Sequence, residues 1–351
     1  MHLTLPWMSN QDKYAQDHQS PMFRVLSLSP LPEFVIRGMF EEAAEKYKLD
    51  VSVVSAEGKN SEELSRELAD ADFVVGDYSF GIPITAEMVS SMKNVRFIQQ
   101  PSTGYEHIDI AACKARGIPV ANIGGANTVS VAEHTIALAL VAMKRITVAH
   151  QRLVAGDWAQ SELMSVAGEL NGKKWGIVGL GRIGRAVGTR ARSLGADVVY
   201  FERARLTPEE EKELHVEYRE LADLLSTSDV VSLSLPLTDS TRLMMGDDEF
   251  GRMKSSAILV NVARGGLVDE DALAKAVKEG KIGGAGVDVF TQEPVPDGNP
   301  LVSAAREGAN IVLTPHIAGA TNEARLRIIQ FTIDNVVRVM RGEIPENVVN
   351  P

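Results

Sequence analysis

One stretch near the middle of the chain, Trp175-Gly176-Ile177-Val178-Gly179-Leu180-Gly181-Arg182-Ile183-Gly184, constrains the fold more than any other. Residues 175–178 read as a short buried strand. Glycines follow as Gly179-x-Gly181-x-x-Gly184, and Ile183, Ala186, Val187 and Ala191 carry helical spacing. Each glycine has a physical task. Gly179 permits the tight turn out of the strand, Gly181 lets a pyrophosphate reach bare backbone, and Gly184 lets helix and strand pack closely. The helix start, with Arg182 and Ile183, offers N–H groups and partial positive charge to phosphates. A second apolar strand, Asp197–Phe201, ends at Glu202, 18 residues after Gly184. An acid placed there reads the ribose hydroxyls of a dinucleotide. Strand, turn, helix, strand and acid fall within about 30 residues, the size of one βαβ unit. The expectation is a dinucleotide site; a plain structural turn is the competing reading.

A chain of 351 residues suggests two domains. Its 44% hydrophobic and 24% charged residues are ordinary for a soluble protein. The longest uncharged apolar run near the middle, 136–143, is too short to cross a bilayer. No basic start followed by an apolar core marks a secretory signal before Pro21. The single cysteine, Cys113, excludes an internal disulfide and a multi-cysteine metal site, and suits a reducing cytoplasm. No metal is expected. A net charge of −11 argues against nucleic-acid or anionic-membrane partners, although a local basic pocket for an anionic substrate remains compatible with it.

Residues 1–22 read as a polar tail. From Phe23 the pattern alternates, with strands at 24–28, 51–54, 73–75 and 95–98 and helices around 33–47, 61–69 and 86–92. Such alternation implies a parallel sheet with helices on both faces. After the fourth strand comes Pro101-Ser102-Thr103-Gly104-Tyr105. Ligands of open α/β sheets bind beyond the carboxyl ends of strands, and successive backbone N–H groups can hold a carboxylate. An ordinary turn is the alternative. Ser130-Val131-Ala132-Glu133 has the form of a capping box that opens a helix over 131–149. That helix is apolar on nearly every face through Met143, and His134 inside it reads as a satisfied core histidine. Further strands are expected at 230–235, 258–262, 285–289 and 311–313. A last helix over 323–340 is expected to return to the first domain, with hinges near 126–128 and 318–321. The predicted architecture is α/β, with two doubly wound parallel-sheet domains. A Rossmann cofactor domain, 128–319, is inserted into a flavodoxin-like substrate domain, 23–127 and 320–351.

Three ionisable residues follow strands of the cofactor sheet: Arg264, Glu293 and His316. Each alone also reads as surface charge or structural. Together they fit one task. Reduction of a 2-oxo acid needs a hydride donor, a proton donor and a carboxylate clamp. A nicotinamide supplies the hydride. His316 can supply the proton, because imidazole titrates near neutral pH. Glu293 can hold the other ring nitrogen and raise the histidine pKa. Arg264 presents a planar fork to carboxylate and carbonyl oxygens.

The segments Gly179-Leu180-Gly181-Arg182-Ile183-Gly184, Asn261-Val262-Ala263-Arg264-Gly265-Gly266-Leu267-Val268-Asp269, Val287-Asp288-Val289-Phe290-x-x-Glu293-Pro294 and Thr314-Pro315-His316-Ile317-Ala318-Gly319 together resemble the D-isomer-specific 2-hydroxyacid dehydrogenase family, over about residues 23–350. The resemblance implies the Arg264, Glu293 and His316 roles given above, carboxylate binding by Ser102, Thr103 and Gly104, and a cofactor contact at Asp288 near the carboxamide. It also implies two domains closing around the substrate and a homodimer formed through the cofactor domain. Further expected cofactor contacts are Leu235, Pro236, Thr241, Val262, Ala263 and Gly319. The chain ends soon after the last helix, without the added C-terminal domain found in some phosphoglycerate dehydrogenases of the family. Glu202 favours NAD over NADP, since its charge repels a 2′-phosphate; Arg203 and Arg205 beside it keep NADP as the alternative. Two other readings share the fold: an NADH-sensing co-repressor-like binding protein, and a formate- or phosphite-type dehydrogenase.

Overall fold

The structure is a computed structural model that describes residues 22–351. The expected tail therefore lies outside the described residues, except Met22. That residue is not tail: it begins the first strand, where it pairs with Asp50. The described residues form two compact units, one of residues 22–127 with Asn322–Pro351, the other Thr128–Thr321. Ala320 and Thr321, expected in the substrate domain, fall in the second unit.

The first unit carries β1 (Met22–Ser27), β2 (Asp50–Ser55), β3 (Phe73–Val75), β4 (Phe97–Gln99) and β5 (Val120–Ala121). All pair in parallel in the order β2-β1-β3-β4-β5, the doubly wound order of flavodoxin-like sheets. Successive strand residues point to opposite faces. Hence Phe23, Val25, Phe73 and Phe97 pack on one side with Ile36 and Phe40 of helix Glu33–Tyr47. Leu26, Val74, Ile98 and Val120 pack on the other with Leu68 and Val89. Burying each of these side chains stabilises the fold by roughly 1.5–3 kcal/mol. Helix Asn322–Met340 joins the first face through Ile333, Val336 and Val337. Its Asn335 Nδ2 donates to Gln99 Oε1 at 2.7 Å in the buried interior.

The second unit carries β6 (Lys174–Val178), β7 (Asp197–Phe201), β8 (Glu217–Tyr218), β9 (Val230–Leu233), β10 (Ile258–Asn261), β11 (Gly284–Val287) and β12 (Ile311–Leu313). The order is β12-β11-β10-β9-β6-β7-β8, all parallel. Chain direction across the sheet reverses between β6 and β9, and such a switch point opens a crevice at the carboxyl ends of the strands. Trp175, Ile177, Val198 and Tyr200 face helix Thr128–Met143, while Val178, Val199, Leu233 and Leu259 face the other layer. The helix lies close because Gly286 carries no side chain: a Cβ there would stand 2.7 Å from Leu138 Cβ.

That helix differs from expectation at both ends. It begins at Thr128, so Ser130 and Glu133 lie inside it and form no capping box. Ser130 Oγ instead bonds Thr321 Oγ1 at 2.8 Å, and Glu133 pairs with Arg190. It stops at Met143 because Arg145 adopts φ +57° and the Met143 carbonyl accepts from Gly168 N; a separate helix, Ile146–Val154, follows. Among the described residues, no helix is long and apolar enough to cross a membrane.

Candidate active site

The turn after β6 is built as its glycines require. Gly179 has φ +94°, and a Cβ on it would lie 2.5 Å from the Ser234 carbonyl oxygen. Gly184 allows helix Arg182–Ser193 to rest on the strand, since a Cβ would meet Gly179 O at 2.2 Å. A Cβ on Gly181 would meet nothing within 4 Å, so backbone here can be approached closely. Gly181 is the N-cap of the helix that Arg182 and Ile183 begin, and it makes no side-chain cap hydrogen bond. The geometry fits a pyrophosphate at the helix start. Glu202, half-buried at the end of β7, accepts from Leu180 N at 2.9 Å and is thereby fixed beside this turn. Arg205 is turned away: it grips Glu211 through Nε and Nη2 at 2.8 and 2.9 Å and lies over the Tyr218 ring. Arg203 is exposed.

Leu235 and Pro236 follow β9 across the switch point. A Cβ on Gly179 would lie 2.9 Å from Leu235 Cβ, and Thr241 Oγ1 braces the next turn by donating to Pro236 O at 2.9 Å.

The three ionisable residues reach the site by different local devices. After β10, Asn261 is 1% exposed and folds the turn beyond it: Oδ1 accepts from Ala263 N at 3.1 Å, and Nδ2 donates to Arg264 O at 2.9 Å. Val262 is buried in the core, while Ala263 O accepts from Arg264 Nη1 at 2.6 Å. Beyond β11, Phe290 N donates to Glu293 Oε1 at 2.9 Å, and Glu293 Oε2 lies 2.6 Å from His316 Nδ1. Beyond β12, His316 itself sits at φ +53° and its N–H donates to Asp288 O at 2.8 Å. Gly319 closes the same loop, half-buried.

The electrostatics follow from these contacts. The hydrogen bond to Glu293 raises the His316 imidazole above its ordinary value, against burial and the Arg264 charge, which lower it. Burial pushes the Glu293 carboxyl up, but His316, the Phe290 N–H and Arg264 outweigh it and hold the carboxyl below the usual range. The pair therefore favours a charged histidine and a charged carboxylate together.

Asp288 is 0% exposed, and its carboxylate is engaged by the loop that follows β12. Oδ1 accepts from Thr314 Oγ1 at 2.6 Å and Ile317 N at 2.9 Å, and Oδ2 from Ala318 N at 2.8 Å. In the structure it anchors the loop that carries His316. Behind it His134 Nε2 bonds Thr314 Oγ1 at 3.0 Å and lies 3.6 Å from Asp288, so this core histidine is satisfied by the loop's own anchor. The tasks of Thr314 and Asn261 escape a reading by spacing, because they are set by hydrogen bonds that form only in the folded loops.

The small-residue turn belongs to the first unit, at the carboxyl end of β4. Ser102 Oγ accepts from Gln100 Nε2 at 2.7 Å and donates to Gly104 O at 2.7 Å. Thr103 Oγ1 bonds Asn127 Oδ1 at 3.2 Å. The side chains are thus turned to internal partners.

Comparison with known proteins bears on what this arrangement does. The family described as D-isomer specific 2-hydroxyacid dehydrogenase, NAD binding domain, matches residues 136–318. A glyoxylate reductase of Korarchaeum cryptofilum is 43% identical over 270 residues, covering 76% of this chain and 80% of that one. The crystal structure of a glyoxylate reductase from Paecilomyes thermophila superposes with TM-score 0.81 at 29% identity, covering 94% of this chain and 98% of the other. An NAD-dependent formate dehydrogenase from Staphylococcus aureus, solved with NAD, superposes with TM-score 0.77 at 27% identity, covering 93% and 99%. The chain belongs to the D-isomer specific 2-hydroxyacid dehydrogenases, nicotinamide-dependent oxidoreductases that act on a CH–OH group.

Proposed function

We propose that this protein reduces a small 2-oxo acid, glyoxylate foremost, to the D-hydroxy acid with NADH, His316 giving the proton. The observation that carries the reading is the 2.6 Å contact between His316 Nδ1 and Glu293 Oε2, one loop away from Arg264. Glu293 holds Nδ1, so Nε2 is the nitrogen that faces substrate and gives its proton to the ketone oxygen. Arg264 pairs with the substrate carboxylate through its guanidinium fork. The bound nicotinamide supplies the hydride to C2. Run backwards, neutral His316 takes the hydroxyl proton while Arg264 holds the same carboxylate. Asn261 and Asp288 keep the two loops in place during either direction.

Several finer readings belong here. Glu202 accepts the ribose hydroxyls and disfavours a 2′-phosphate, supported by its fixed place at the turn and by the engagement of Arg205 with Glu211. Gly179, Gly181, Gly184, Leu235, Pro236, Thr241, Val262, Ala263 and Gly319 line the cofactor in this reading. The turn at Ser102, Thr103 and Gly104 offers backbone N–H groups to a carboxylate. A homodimer through the second unit is supported by its exposed apolar residues Leu153 and Trp158, which line one surface cleft, apolar surface of the kind found at interfaces. The acidic chain with one buried thiol suits the cytoplasm.

The test is NADH consumption with glyoxylate, hydroxypyruvate, phenylpyruvate and 3-phosphohydroxypyruvate, run beside NAD reduction with formate. Turnover on a 2-oxo acid supports the proposal. NADH binding without turnover on any of them overturns it, and formate oxidation alone would assign the same residues to the formate-type reaction.

A further inference from the structure

His316 is held from behind by the Asp288 anchor, but its partner Glu293 stands on a separate loop beyond β11. That loop has its own fastening. Glu270, at the start of helix Glu270–Lys278, accepts from Thr291 N at 2.6 Å through Oε1 and from Asn299 Nδ2 at 2.5 Å through Oε2. The two donors flank Glu293 on either side. Asn299 is buried and cannot turn over, because its Oδ1 caps helix Pro300–Arg306 by accepting from Leu301 N and Val302 N. Its Nδ2 therefore always points at Glu270. Both partners of Glu270 are donors, and only a carboxylate offers two acceptors; an amide would turn an N–H toward one of them.

The other end of the fastening is Arg264. Asp269 caps the helix by accepting from Ala272 N at 3.0 Å, and a 3-10 turn, Gly265–Leu267, connects back to Arg264. Gly265 is pressed against the Glu293 loop so tightly that a Cβ would stand 1.9 Å from the Phe290 carbonyl carbon. The segment after β10 and the segment after β11 thus touch backbone to backbone at one point and are tied by Glu270 at another. Two such constraints fix both the distance and the angle between them.

We propose that Glu270 is a positioning residue: it clamps the 291–299 segment to the helix that follows Arg264, and so sets where Glu293 meets His316. The inference rests on the proposed roles of Glu293 and His316 in proton transfer. Charged groups that act on the His316 ring are Glu293, Asp288 and Arg264, and Glu270 acts only through the first of these.

The experiment is an NMR titration of ¹⁵N-histidine-labelled protein without cofactor, in wild type, Glu270→Gln and Glu270→Ala, with His316→Gln identifying the His316 resonance. It is paired with kcat, KM and NADH affinity on glyoxylate. With Glu270 altered, the His316 titration moves to lower pH, kcat falls about 10-fold or more, and NADH affinity stays within about 2-fold, since misplacement by an ångström is enough to lose such a factor. Glu270→Gln keeps one of the two bonds and shows the same changes in smaller measure. An unmoved His316 titration in both variants overturns the proposal, as does a fall in NADH affinity equal to the fall in kcat. If wild type consumes NADH with no 2-oxo acid, the proposed reaction fails, and the titration still reports on the clamp.

Discussion

Nδ1 of His316 stands 2.6 Å from Oε2 of Glu293, and that contact decides both the ring's orientation and its charge. One nitrogen is occupied, the other is presented, and the proton is held more tightly than on an ordinary imidazole.

The pH dependence follows in sign. His316 has a folded pKa above its ordinary value, so its contribution to stability is full below that ordinary value and fades as pH rises through the folded one. In the proposed mechanism, reduction needs the protonated ring and fades as pH rises through the folded value, while oxidation of the hydroxy acid grows. Glu293→Gln removes the largest cause of the rise. The fall in reductive kcat/KM should then occur at lower pH than in wild type, as a rate–pH profile will show. Coincident profiles would mean that Glu293 does not tune the ring.

At the Gly-rich turn, Gly179→Ala places a Cβ 2.5 Å from the Ser234 carbonyl at φ +94°. Strain of this kind costs about 1–3 kcal/mol before the collision is counted. Thermal denaturation should show a melting temperature lowered by several degrees and NADH affinity reduced with it. A melting point equal to wild type would show that the turn yields without strain.

In the proposed reading, cofactor choice turns on Glu202. Replacing it with Ala removes charge-assisted hydrogen bonds worth about 1.5–3 kcal/mol, so NADH affinity should fall about 10- to 100-fold. NADPH should lose little or gain, narrowing the ratio of the two KM values. An unchanged ratio would place ribose recognition elsewhere, with Arg203 the next residue to test.

Much of this was legible from spacing. Alternating apolar strands and amphipathic helices leave a strong period, so β3, β7, β12 and helix Glu33–Tyr47 lie where the pattern puts them. Strands β5 and β8 were missed because two residues carry no period. The helix at Thr128 was misplaced because Ser-x-x-Glu is a cap only when the chain turns there, and Ser130 is drawn to Thr321 far along the sequence. Arg264, Glu293 and His316 announce themselves as charges at strand ends. Asp288 does too, but its engagement depends on the loop hydrogen bonds of Thr314, Ile317 and Ala318, which no local pattern encodes. Glu270 reads as a first-turn acid favourable to the helix dipole, and only the fold shows Thr291 and Asn299 on its two oxygens.

The sharpest measurement is kcat of His316→Ala on glyoxylate, with NADH binding determined in the same preparation by fluorescence quenching. A positioned general acid is worth about 10²- to 10⁴-fold, so turnover should fall by that factor while NADH affinity stays nearly intact. Activity surviving within a few-fold of wild type, with the cofactor bound, would show that some other group gives the proton.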